Sequence, residues 1–87
     1  MTQESKHPRW WRWEIELSRH VLRRMSDRGF NEIDVRAMMQ DATEVLPAAT
    51  KGRWRVKTVL NNRPWVIVVE PDFAMRLLVV ITAYMLE

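Results

Sequence analysis

The chain has 87 residues, 47% hydrophobic and 29% charged, and no cysteine. That is enough chain for one domain and one core but not for two, and too apolar for a wholly disordered one. Disulfides, thiolate nucleophiles and cysteine metal sites are excluded. The 14 Lys and Arg outnumber the 11 Asp and Glu by three, and 11 of the 14 are arginine, the planar fork that suits phosphate and carboxylate.

Residues 1–9 are polar, contain Pro8 and read as a flexible tail, with a single domain over residues 10–87. Residues 10–17 alternate: Trp11, Trp13, Ile15 and Leu17 share one face, and Arg12, Glu14 and Glu16 the other, the period of a half-buried strand. Ser18 is an N-cap residue, with Leu17 and Leu22 at the positions of a hydrophobic staple. A helix over Arg19–Arg28 follows, with Val21, Leu22 and Met25 toward the core and Gly29 as its stop. Asn31 starts a second helix, with Asp34 placed to reach back to the cap and Val35, Met38, Met39 and Ala42 as its buried stripe. That helix ends near Asp41, and Pro47 falls in the connection after it.

The remainder reads as sheet. Trp54–Leu60 alternates, Asn61-Asn62-Arg63-Pro64 is a turn, Trp65–Val69 is a continuous apolar run, and Arg76–Met85 is the last strand. The expected fold class is α+β: an N-terminal strand, two helices, then a three-stranded antiparallel meander, in one sheet with both helices on one face.

Four features carry possible chemistry. His20, Arg24 and Arg28 stand at i, i+4 and i+8, one stripe of the first helix, flanked by Arg23 and Asp27. Nearby guanidiniums favour a neutral imidazole, which suits a general base beside phosphate-holding cations; the alternative is an exposed basic helix face. Arg53, Arg55 and Lys57 share one face of a strand opened by Gly52, either a nucleic-acid backbone site or a charged edge that deters aggregation. Thr82 and Tyr84 are polar groups of one face in an apolar strand, aimed at the surface free of helices or at a core boundary. Trp10, Arg12 and Arg9 interleave aromatic and basic groups, for base stacking, core packing or a partner contact, with Trp10 read as exposed. Glu70, closing an apolar strand before Pro71, is the carboxylate of most interest.

Two histidines in different contexts read against a histidine metal site, and two glycines exclude a Gly-rich phosphate loop. No cofactor is expected. Residues 1–13 lack the apolar core of a signal peptide, and no run reaches the roughly 18 apolar residues of a membrane span. The expected place is the cytoplasm, with delivery into a competing cell left open.

The segments IELSRHVLRRMSDRGFNEIDVRAMM, KGRWRVKTVL, WVIVVE and LLVVITAYM resemble a widespread bacterial family of small domains of unassigned function. That family is similar in element order to the RelE and BrnT toxins, within the barnase, EndoU, colicin and RelE-like group of ribonucleases. The resemblance spans about residues 13–85. It implies a metal-independent endoribonuclease of the toxin–antitoxin type, which cleaves RNA by attack of the ribose 2′-hydroxyl. By position it assigns His20 as acid/base, Arg28 as the Arg before Gly, Arg53 as the Gly-Arg residue and Thr82 as the last-strand Thr. Arg24, Arg55 and Lys57 would hold the substrate, and Tyr84 loosely resembles a C-terminal tyrosine of RelE-type toxins. The implied partners are RNA and a neutralising antitoxin or immunity protein; no membrane is implied, and a homodimer remains open. The alternative is a non-catalytic binding module whose basic face docks nucleic acid or an acidic protein.

Overall fold

The computed structural model describes residues 7–86; the tail expected over residues 1–9 therefore falls mostly outside the described residues. A short 3₁₀ turn (Arg9–Arg12) leads into β1 (Glu14–Leu17), followed by α1 (Arg19–Arg28) and α2 (Glu32–Gln40). The strands β2 (Glu44–Pro47), β3 (Trp54–Leu60), β4 (Arg63–Asp72) and β5 (Leu77–Met85) complete the chain. They form one five-stranded sheet in the order β1-β5-β4-β3-β2. β1 runs parallel to β5, and every other pair is antiparallel.

The architecture is α+β, and two details correct the sequence reading. The sheet is mixed and has five strands, because Glu44–Pro47 pairs with Lys57–Trp54 and lengthens the expected meander by an edge strand. The N-terminal strand is shorter than the alternation suggests. Pro8 caps the 3₁₀ turn in an extended conformation, and the tighter winding turns Trp10 inward. Trp10 is 4% exposed, not a surface residue, and its ring meets Trp54 at 5.9 Å.

Both helices have the ends their sequences specify. Ser18 Oγ accepts the Val21 N–H at 3.1 Å, and Gly29 closes α1 at φ +70°, where a side chain is strained. Asn31 and Asp34 form a reciprocal capping box at 2.9 and 3.0 Å. Val21 is fully buried and Met25 partly, but Leu22 is 50% exposed, so the apolar stripe is narrower than expected. α1 packs over β5 and α2 over β3. A helix lying along one strand buries a narrow line of its surface, and Leu22 is turned about 100° from Val21.

The ladder register fixes the two faces of the sheet. Val56, Ile67, Val69, Leu78, Val80 and Ala83 point to the helices and are fully buried. Thr58 lies among them, its hydroxyl donating to the Met38 carbonyl in the last turn of α2. The β3–β4 connection is a two-residue turn with Asn61 and Asn62 at φ 53° and 65°, the left-handed pair that matches strand twist. Among the described residues, no helix is long and apolar enough to cross a membrane.

Candidate nucleic-acid interface

Because the helices cover one face, the opposite face of the sheet lies open, and period two decides what stands on it. Gly52, at φ +87°, turns the chain into β3. From there Arg53, Arg55 and Lys57 point to the open side while Trp54, Val56 and Thr58 point to the helices. Arg53 Nε donates to Glu70 Oε1 at 2.9 Å, and Lys57 Nζ lies 3.7 Å from Glu44 Oε1 on β2. Among the described residues, the Arg55 side chain makes no hydrogen bond or ion pair.

Strict alternation along β5 would send Thr82 and Tyr84 to the same side as Leu78 and Val80, into the core. A β-bulge prevents this. Val69 pairs with Val80 and Val68 with Thr82, so Ile81 is an extra residue and the faces exchange there. Beyond it Ala83 is buried against the helices, and Thr82 and Tyr84 stand on the open face. Ser18 fixes the bulge. Its N–H donates to the Val80 carbonyl at 3.0 Å and its hydroxyl to the Ile81 carbonyl at 2.9 Å. The residue that caps α1 therefore also anchors the segment that re-aims Thr82 and Tyr84.

The open face reads in rows across β3, β4 and β5: Arg53–Glu70–Val79, Arg55–Val68–Thr82, and Lys57–Val66–Tyr84. Val66 is 2% exposed although no helix lies over it. Its cross-strand neighbours are Lys57 on one side and Tyr84 on the other. Cross-strand neighbours on one face stand close enough to screen a residue between them, while the Lys57 ammonium leans the other way, 3.7 Å from Glu44 on β2. The Lys57 and Tyr84 backbones are two strand spacings apart, about 10 Å.

The helix stripe lies in the other layer. His20 is exposed, and Arg24 Nε donates to its Nε2 at 3.4 Å. His20, Arg23, Arg24 and Asp27 line a shallow cleft of about 270 Å³. Arg28 donates to the Ala83 carbonyl at 3.4 Å and so ties α1 to β5. No hydrogen bond or ion pair joins His20, Arg24 or Arg28 to Arg53, Arg55 or Lys57 among the described residues. The eight sequence candidates thus divide into an open-face group (Arg53, Arg55, Lys57, Thr82, Tyr84) and a helix group (His20, Arg24, Arg28).

Three contributors escaped the sequence reading. Glu44 lies on the edge strand that was not expected. In the sequence Val66 is one more apolar residue of a run. Ser18 carries only the signature of a helix cap there, because only the fold brings β5 beside it.

The family model described as a domain of unknown function, DUF4258, matches residues 17–85, and the chain belongs to that family. No curated protein and no solved structure matches the chain.

Proposed function

We propose that the chain acts on single-stranded RNA, held along the open face of its sheet and cleaved there without a metal ion, as in the RelE and BrnT toxins it resembles. The observation that supports this most is the burial of Val66 between Lys57 and Tyr84, with Arg55 and Thr82 in the adjoining row. Cations on one flank and hydroxyls on the other match a phosphate and the ribose beside it.

In this reading Arg53 and Arg55 take backbone phosphates. Lys57 faces the scissile phosphate, where its charge offsets the negative charge that grows as the 2′-oxygen attacks phosphorus. The Tyr84 hydroxyl hydrogen-bonds to the ribose or the departing 5′-oxygen, and Thr82 orients the sugar. The 2′-oxygen forms a bond to phosphorus as the bond to the 5′-oxygen breaks. Solvent water takes the 2′-hydroxyl proton and solvent returns one to the 5′-oxygen, so the products are a 2′,3′-cyclic phosphate and a 5′-hydroxyl. A neutralising partner would cover this face with carboxylates. His20 lies in the other layer and takes no part in the step.

A non-catalytic reading is favoured by one observation. Arg53 and Lys57 each already face a carboxylate, Glu70 and Glu44, while the Arg55 side chain has no ion-pair partner among the described residues. A face of this kind can bind a backbone without cleaving it.

The deciding experiment incubates labelled single-stranded RNA with the protein in EDTA, beside Lys57→Met, Tyr84→Phe and His20→Ala. Cleavage to cyclic phosphate that the first two variants lose and the third retains supports the proposal. Loss in His20→Ala with retention in the other two moves the chemistry to α1. RNA bound but intact selects the non-catalytic reading.

A further inference from the structure

A second concave site lies in the helix layer, away from the open face. The 3₁₀ turn, β1 and α2 line an open cleft of about 520 Å³, with His7, Trp11, Arg12, Trp13 and Arg36 on its walls. That volume lies in the range of small-ligand sites. Its lining combines two half-buried indoles with two guanidiniums and includes no carboxylate. Among the described residues, the Arg12 side chain makes no hydrogen bond or ion pair. Arg36 is held on one side by Glu32, through Nε and one terminal nitrogen, and its other terminal nitrogen makes no hydrogen bond.

The face of Trp11 already carries a flat ring. The His7 imidazole lies on it with centroids 4.5 Å apart and planes within 3° of parallel. That is the geometry of a stacked base, adopted here by a side chain of the same protein. Trp13 is braced edge-on by Phe73, at 5.2 Å and 80°, which fixes the far wall.

We infer that this cleft is a nucleotide site: the base stacks on Trp11 in place of His7, and the phosphate is held by Arg12 and Arg36. The indole face gives a flat ring its stacking surface, worth about 1–3 kcal/mol per base in single-strand binders. The two guanidiniums give the phosphate its charge-assisted donors. His7 occupies the stacking surface in the unliganded chain, so it competes with the base. The site shares no residue with the open face and stands or falls independently of the ribonuclease reading.

The test titrates the full chain with adenosine 5′-monophosphate and with adenosine, following tryptophan emission excited at the red edge of indole absorption. Saturable quenching by the nucleotide is expected, with adenosine binding at least about tenfold more weakly, as loss of a charged hydrogen-bonding group requires. Arg12→Ala, a surface change that leaves the core intact, weakens the nucleotide and narrows its margin over adenosine, and Arg12→Ala/Arg36→Ala brings it down to the affinity of adenosine. His7→Ala tightens binding by removing the competing ring. Arg55→Ala/Lys57→Ala binds as the wild type does. No saturable quenching, equal binding of nucleotide and nucleoside, or loss of binding in the Arg55/Lys57 variant would each overturn the assignment.

Discussion

Ser18 joins the two halves of the fold, and replacing it separates its two roles. Its oxygen accepts the Val21 N–H as the cap of α1, and its hydroxyl donates to the Ile81 carbonyl at the bulge of β5. Ser18→Ala removes both. Losing a cap costs about 1 kcal/mol and losing a part-buried hydrogen bond about 1 more, so the expected destabilisation is about 2 kcal/mol. Ser18→Asp keeps a capping acceptor but, ionised, has no proton for Ile81, so it should lose about 1 kcal/mol, the bulge contribution alone. Urea unfolding followed by tryptophan fluorescence reads both values. Amide exchange at Ala83 and Tyr84 should quicken in both variants, because their register depends on the bulge. Equal stability of Ser18→Asp and the wild type would refute the claim that the hydroxyl fixes the bulge. A loss in Ser18→Ala below about 0.5 kcal/mol would refute both roles.

Further outcomes follow from single contacts. If Arg53, Arg55 and Lys57 each neutralise a phosphate, affinity for single-stranded RNA should fall about 20-fold between 50 and 200 mM salt, measured by fluorescence anisotropy; for Arg55→Ala/Lys57→Ala the fall should be about threefold. Glu70→Gln releases Arg53 from its 2.9 Å ion pair and should raise RNA affinity, with little change in stability. Thr58→Val leaves the Met38 carbonyl at the end of α2 without its donor and should destabilise by about 1–3 kcal/mol in urea, while Thr58→Ser loses less. Asn31→Ala breaks the capping box of α2 and should cost about 0.5–2 kcal/mol by the same measurement.

Local signals carried most of the helical half. Ser18 and Gly29 bound α1, and Asn31 with Asp34 starts α2, because caps and left-handed stops are determined within a few residues. The alternation of β3 and the Asn61-Asn62 turn are local in the same sense. β2 was hidden because Glu44–Pro47 is only four residues long and ends in proline; it exists through pairing with β3, which no local pattern records. The parallel partnership of β1 with β5 is likewise a contact between chain ends. Trp10 misled because it follows Pro8 in a turn with a period of three, where alternation does not apply.

The candidate site divided along the same line. The shared face of Arg53, Arg55 and Lys57 follows from alternation in β3. The shared face of Thr82 and Tyr84 also follows from alternation, but which side of the sheet they take depends on Ile81 as an inserted residue, and nothing in the apolar run of β5 marks it. The stripe of His20, Arg24 and Arg28 is real on α1, yet its relation to β3 is set by which side of the sheet the helices cover, and spacing along one helix does not carry that information.

The central claim, that RNA lies on the open face, is tested most directly by amide chemical-shift mapping of the labelled protein with a short single-stranded RNA. The account predicts shifts at Arg55, Lys57, Val66, Val68, Thr82 and Tyr84, with α1 unmoved. Shifts confined to the His20–Asp27 stretch of α1, or none at saturating RNA, would contradict it.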